Sequence, residues 1–490
     1  MQTNAVISGI IVIQTIITEG KQMLFKTRIP SEWAVVAGNL GEVGQTAVRR
    51  AFYLIQKYVD YRVDILTDGE YAASGNDGNA LILRVDGTAV PQNEGYSINV
   101  TAPDENGYQK IEITAHDEAG LLWGIDDIDH YYICHLRYRG RIADGYFGVF
   151  KEVMPEFRRE SHPKIEYRGF WTWGYVIYDY RGYIDYMSRW KLNTLIIWND
   201  FVPVNIKEVI SYAHSRGVKV ILGYSCGWDT SINLDPGDSM VTAKWHEDVM
   251  NIYREQYKDL GMDGVYFQAF TETSDMEIGG KSIAKLVADW INYIGGDMLE
   301  EFPGIEIFFG LHATSIKDRY GELEGVDGRI HLVWEDCGSY PYEYIPDNTN
   351  GFENTLKYTG ELADLRGENE RFGVVFKGFT LLNWTTFRHH ARVAIGEADK
   401  DQIEALLPDR RYKWVHYNAS CLESTDLLKA TIERIASSKA KTKLVTILTE
   451  DGLIERIHPQ CAAVAAELMW DPKLEVKKVL RVTSETGERI

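Results

Sequence analysis

The stretch DGVYFQAFTETSD (Asp263–Asp275) decides how the chain is read. After Asp263-Gly264 it runs through Val265, Tyr266, Phe267, Ala269 and Phe270, then breaks into Thr271, Glu272, Thr273, Ser274 and Asp275. An apolar, aromatic run with so abrupt a polar end is the pattern of a buried parallel strand whose last residues emerge into a polar site. In parallel α/β architectures chemistry collects at the carboxyl ends of strands. Glu272 stands at such an end, with Asp275 three residues on, and is the first candidate for a catalytic acid.

Working outward, the same texture repeats. Strands are expected at Ile165 to Trp173, Thr194 to Trp198, Val218 to Tyr224, Ile305 to Leu311, Ile330 to Trp334 and Gly373 to Phe379, with an eighth at Trp414 to Tyr417. Helical stretches separate them, among them Ile206 to Ser215, with Asn205 as its cap, and Lys281 to Glu300. Eight strands alternating with helices predict an α/β fold of the (β/α)8 TIM barrel type. A doubly wound open sheet is the alternative, but no glycine-rich phosphate turn follows the first strand.

Before the barrel, Ala34 to Ala37, Leu81 to Val85, Gly95 to Val100 and Tyr108 to Ala115 read as strands. A helix spans Gly41 to Val59, and another begins at Leu121 after a turn at His116 to Gly120. The expected organisation is an uncertain segment over 1–30, a small α/β domain over 31–150, the barrel over 151–425 and a C-terminal helical tail over 426–490. The connector from Arg137 to Pro163 reads as a linker. The apolar stretch Ala5 to Thr18 is short, interrupted by Gly9 and Gln14, and preceded by no positive charge. It makes a poor signal peptide and is too short to span a bilayer, so a cytoplasmic location is the expectation.

With 490 residues the chain can bury a sizeable core, and its 52 basic against 72 acidic residues leave a formal net charge of −20. Nucleic acid and anionic membranes both need a basic face, so neither is an expected partner. Homo-oligomer formation is left open. The five cysteines are widely spaced and odd in number, which suits reduced packing thiols. No HExxH or cysteine cluster points to a metal, no P-loop or GxSxG elbow appears, and no cofactor is implied. His389-His390 reads as part of a helix surface.

The strand exits carry the chemistry. Trp171 and Trp173 close the first strand, Trp198 the second and Trp334 the sixth, while Trp228 and Trp384 follow the third and seventh. Any one such tryptophan is more often packing than ligand. Several around one mouth would suit sugars, whose C–H faces stack on flat rings while carboxylates and amides take the hydroxyls. Polar groups recur in register: Asn199-Asp200, Glu272 with Asp275, His312, Glu335-Asp336 and Asn383. Glycoside hydrolysis needs one carboxylic acid to protonate the leaving oxygen and a second group to act as base or nucleophile. Glu272 with Asp336, or with Glu335, fits that pair.

The stretch YQKIEITAHDEAGLLWGIDDI resembles the end of the small domain that precedes the barrel in family 20 hexosaminidases and family 67 α-glucuronidases. IEYRGFWTWGYVIYDYRGYIDYMSRWKLNTLIIW is similar to the first barrel unit of the same enzymes, through Arg168-Gly169 and Lys191-Leu192-Asn193. The resemblance implies a glycoside hydrolase with Glu272 as its acid and Arg168 bound to hydroxyls of the terminal sugar. A salt-bridged place in the barrel floor is the other role open to Arg168. Two departures stand out. Thr271 occupies the position where family 20 has an Asp that orients a 2-acetamido group, and Thr273-Ser274-Asp275 replaces the Gly-Gln-Pro-Gly run of family 67. The expectation is therefore an exo-acting glycosidase, with Arg168, Trp171, Trp173, Trp198, Asp200, Trp228, Asp275, His312, Trp334, Asn383 and Trp384 as substrate contacts. A non-catalytic carbohydrate-binding barrel and a polysaccharide lyase are the alternatives.

Overall fold

The computed structural model describes residues 33–56, 63–75, 78–133, 156–199, 201–226, 237–335, 337, 351–379, 393–450 and 453–487. The expected Asp200, Trp228, Asp336, Asn383, Trp384 and the His389-His390 pair lie outside these residues. The chain divides into two compact units, Met1–His162 and Pro163–Ile490.

The first unit is a six-stranded sheet of β1 (Trp33–Ala37), β2 (Val63–Leu66), β3 (Asn79–Val85), β4 (Tyr96–Val100), β5 (Lys110–Ala115) and β6 (Phe157–Ser161), in the order β2-β1-β3-β5-β4-β6. β4 runs antiparallel to both β5 and β6, and the other pairs are parallel. β6 lies inside the stretch expected to be a linker. Its alternating FRRES has only one large apolar residue, which is sufficient for an outer strand. The helix Glu118–Ile128 starts three residues earlier than expected, because the Asp117 carboxylate accepts from the Gly120 N–H at 2.8 Å and caps it. Glu118 in its first turn accepts from the N–H groups of Gly41 and Gly44 at 2.5 and 2.8 Å, where the helix Glu42–Gln56 begins. Two acids of this buried helix are paired: Asp126 with Arg50 at 2.5 Å and Asp127 with Arg159 at 3.0 Å.

The second unit is a closed barrel of eight parallel strands. They are β7 (Tyr167–Trp173), β8 (Thr194–Trp198), β9 (Lys219–Gly223), β10 (Gly264–Gln268), β13 (Glu306–Leu311), β14 (Ile330–Trp334), β15 (Arg371–Phe379) and β16 (Thr442–Thr449). A two-stranded ribbon, β11 (Glu277–Ile278) and β12 (Lys281–Ser282), follows β10. Seven strands fall where the sequence places them. The eighth does not: Trp414–Tyr417 lies inside the helix Lys400–Glu423, and the closing stave is Thr442–Thr449. That strand pairs with β15 on one side and β7 on the other, so the barrel runs past residue 425 into the expected helical tail.

Alternation sorts the barrel side chains into two cores. Tyr167, Trp171, Ile196, Trp198, Ile221, Tyr266, Phe308, Val333, Val375, Leu444 and Leu448 fill the interior. The other parity, including Phe170, Phe267, Phe309 and Phe376, packs against the surrounding helices. The four described cysteines, Cys226, Cys337, Cys421 and Cys461, are buried in this outer layer and form no disulfide with one another.

The floor of the barrel is tied by polar groups. Arg168 is fully buried and donates from Nη1 to the carbonyls of Ile165 and Glu166 at 2.7 and 3.1 Å, and from Nε to that of Lys191 at 3.1 Å. Its guanidinium lies 5.1 Å from the Trp470 ring centre. Lys191 is equally buried, 2.7 Å from the Glu467 carboxylate. Asn193 donates to the Glu166 carbonyl at 2.7 Å and accepts from the Arg168 N–H at 2.8 Å. Arg168 is thus corrected from a sugar contact to a floor residue. It has the parity opposite to Tyr167, Trp171 and the barrel interior, and it sits at the amino end of its strand.

Candidate active site

Seen from the carboxyl ends of the strands, the described interior holds a cluster of indoles and a buried carboxylate, linked through Tyr266, whose ring meets Trp171 at 6.0 Å. Trp171 meets Trp173 edge to face at 5.3 Å, and Trp173 meets Trp198 at 6.3 Å. Trp173 is only half-buried and stacks on Tyr175 at 5.9 Å. Trp171 and Trp198 are buried deeper. The indole of Trp198 lies across the neighbouring strand, where a Cβ on Gly223 would come within 2.4 Å of it. Three of the expected tryptophans are therefore brought together at one sector of the mouth. Trp334 is not among them. It faces the helix layer, fully buried, edge-on to Tyr358 at 4.9 Å, and is corrected to a packing residue.

The carboxylate is Glu335, the residue directly after β14, and only 2% of its surface is exposed. Its Oε1 accepts from the Tyr266 hydroxyl at 2.6 Å and from Gln268 Nε2 at 2.8 Å. Its Oε2 accepts from the same Gln268 nitrogen at 2.8 Å and lies 3.4 Å from His312 Nε2. Beneath it β13 carries Gly310, where a Cβ would stand 2.1 Å from Glu335 Oε1 and 2.6 Å from the Tyr266 oxygen. No side chain fits there, so glycine makes the seat of the carboxylate. Burial, then the negative charge of Glu335, holds the Tyr266 phenol well above its ordinary range, so it remains a protonated donor.

β10 supplies two of these donors and the turn that carries Glu272. Tyr266 and Gln268 share the inward parity of the strand. Beyond its end, Thr271 is fully buried: its Oγ1 accepts from the His312 N–H at 3.1 Å, and its carbonyl accepts from the Ser315 hydroxyl at 2.6 Å. The next residue, Glu272, is exposed, and no described residue hydrogen-bonds its carboxylate. Asp275 is exposed as well, its N–H donating to Thr273 Oγ1 at 3.2 Å. His312 is buried, at the amino end of the short helix Ala313–Ile316. Sequence reasoning passed over Tyr266 and Gln268. Their signal was a polar side chain closing an otherwise apolar run, two positions after a tyrosine of the same parity.

No protein-family model matches the chain, and no curated protein matches it. Solved structures do. A variant of β-hexosaminidase from Streptomyces plicatus, in complex with the product GlcNAc, superimposes with a TM-score of 0.53 at 12% identity, over 94% of this chain and 91% of that one. A β-N-acetylhexosaminidase from Bacteroides fragilis gives 0.49 at 14% identity, over 91% and 88%. A family 115 4-O-methyl-α-glucuronidase with specificity for decorated arabinogalactans gives 0.49 at 12%, over 90% of this chain and 57% of that one. The chain's own architecture, a closed eight-stranded parallel barrel with an additional mixed sheet, is matched over nearly its whole length by the first of these. At these identities the likeness speaks for the fold.

Proposed function

We propose that this protein is a glycoside hydrolase that removes a terminal sugar from an oligo- or polysaccharide. The observation that carries the reading is Glu335, a carboxylate sunk in the barrel mouth and clamped by Tyr266 and Gln268, with the Tyr266 ring meeting Trp171, the inner member of the cluster Trp171, Trp173 and Trp198, at 6.0 Å. Aromatic faces with a fixed carboxylate suit a sugar ring bound edge and face. Glu272, on the turn after β10, is the proposed general acid: it is open to solvent and so to an incoming glycosidic oxygen. Cleavage of a panel of 4-nitrophenyl glycosides tests the reading. Glu272→Gln should lower kcat by about 10²–10⁴-fold, the range of general acid catalysis. Full activity in that variant would remove Glu272 from the mechanism.

A second reading has its own observation. Nothing among the described residues orients the Glu272 carboxylate, as a barrel that binds carbohydrate without cleaving it would allow. Oligosaccharide binding by calorimetry, with no glycoside cleaved, would favour it.

A further inference from the structure

We propose that the protein carries a second binding site at the amino end of the barrel, for a small polyhydroxy carboxylate. The cleft that would hold it has a volume of about 720 Å³. It lies under the entrances of three adjacent staves, β14, β15 and β16. Its walls come from the segment before β14, the segment before β15, and Lys441, which directly precedes β16. The five residues of β14 stand between the cleft and Glu335, a rise of roughly 16 Å at about 3.3 Å per residue. The cleft is therefore no part of the mouth, and a ligand there would not compete with a sugar bound above.

Its charges point to the ligand. Four cations line it, Arg329, Arg366, Arg371 and Lys441. Two are committed within the fold. Arg329 pairs with Asp327 at 2.6 Å. Arg366, its side chain buried, pairs with Glu370 at 2.6 Å and donates to the carbonyls of Val326, Asp327 and Ile330. Arg371 and Lys441 differ, because neither has an acid at ion-pair distance among the described residues. Arg371 Nη1 lies 3.4 Å from His331 Nε2, and its Nε is buried without a protein acceptor. A buried, unpaired N–H on a cation is costly for a fold to keep. His331 offers no charge in return, since burial lowers its pKa and it is neutral at pH 7. Glu306, which also approaches His331 at 3.6 Å, accepts from the Tyr167 hydroxyl at 2.5 Å instead of pairing with Arg371.

The acids of the cleft sort in the same way. Asp327 is taken by Arg329, while Asp364 accepts from Arg434 at 3.2 Å and from the Lys439 N–H at 2.7 Å. Glu324 is left, exposed and without a hydrogen bond from a described residue. The uncommitted groups are thus two cations and one acid, which together balance a single negative charge. That suits a carboxylate better than a phosphate dianion. The Arg371 guanidinium and the Lys441 ammonium would take its oxygens. The Glu324 carboxylate and the Asn369 amide, both exposed on the wall, would take hydroxyls. In a chain whose 72 acidic residues outnumber its 52 basic ones, two cations left together without acids do not follow from overall charge. The volume lies within the range of small-molecule sites.

Calorimetry with gluconate and glucuronate tests the site, with glucose and inorganic phosphate as controls. Expected are binding of at least one carboxylate at millimolar affinity or tighter, weaker binding of phosphate, and none of glucose. Raising the salt concentration should weaken the carboxylate. Lys441→Glu reverses a charge at an exposed position and should weaken binding at least about tenfold, the value of one charge-assisted contact. Arg371→Met should weaken it at least as much, and Lys441→Glu carries the test alone if Arg371→Met does not fold. Carboxylate binding that survives Lys441→Glu unchanged would place the ligand elsewhere and overturn the site. Glucose binding as tightly as glucuronate, phosphate binding more tightly than either carboxylate, or no binding of either carboxylate at millimolar concentration would overturn it too.

Discussion

The two ends of the barrel treat polar groups in opposite ways. In the floor, Arg168, Lys191, Asn193 and Glu467 bond to one another and to backbone carbonyls, and Trp470 lies under both cations. At the mouth, Glu335 is held by the Tyr266 hydroxyl and the Gln268 amide, Glu272 is exposed, and Trp173 is half-buried. The contrast teaches which residue types mean structure and which mean chemistry. A buried charge paired with an opposite charge holds a fold, whereas a buried carboxylate held by neutral donors at a strand exit can do work.

The comparison can be broken most forcefully at the floor. Lys191→Met leaves Glu467 buried and uncompensated, so it should cost about 3–5 kcal/mol of stability in urea denaturation, the usual penalty for half of a buried pair. Activity per folded molecule should be unchanged. A loss of kcat without loss of stability would mean that the floor takes part in catalysis.

At the mouth the expected effect is smaller and of the other kind. Trp173→Ala should weaken sugar binding or raise KM about tenfold, the equivalent of one lost ring contact of about 1–1.5 kcal/mol, while moving the urea midpoint little. A large drop in stability with unaltered KM would return Trp173 to the packing residues.

A third test concerns a residue on neither end. Burial, with Arg189 and Arg456 nearby, lowers His458 to about 4 from 6.5. As pH falls, the unfolded chain takes up this proton first, near 6.5, while the folded chain resists until about 4. The stability contribution is therefore full above pH 6.5 and is lost progressively between about 6.5 and 4. His458→Asn should flatten the fall of Tm across that window. Asparagine tolerates the left-handed backbone found there, φ 52°. An unchanged slope would assign the pH dependence elsewhere.

Much of this was legible in the sequence, and the gaps have physical causes. Seven staves of the barrel announce themselves as apolar runs with polar ends. The eighth was misplaced because WVHY at Trp414–Tyr417 is as rich in strand-forming side chains as a true strand, yet it forms one turn of a 24-residue helix. The true stave, TKLVTILT, is rich in β-branched and aliphatic residues and follows the breaker Ser437-Ser438, but the helical stretches around it obscured the pattern. Two site errors were avoidable from parity alone. If Trp171 and Trp173 face inward, Arg168 faces outward. If Glu335 faces inward, Trp334 before it cannot. What parity cannot give is the clamp: Tyr266, Gln268 and Glu335 converge across β10 and β14, which are separated by β13, and only closure of the barrel brings them together.

Gly310 gives that clamp a vulnerability invisible in a list of functional residues. The carboxylate occupies the volume that any other amino acid would need for its first side-chain carbon. Alanine, the mildest replacement chemically, would evict Glu335 from its seat with every acid, amide and indole of the mouth still present. A natural variant carrying a single added methyl there would look conserved at each functional position and still be disarmed.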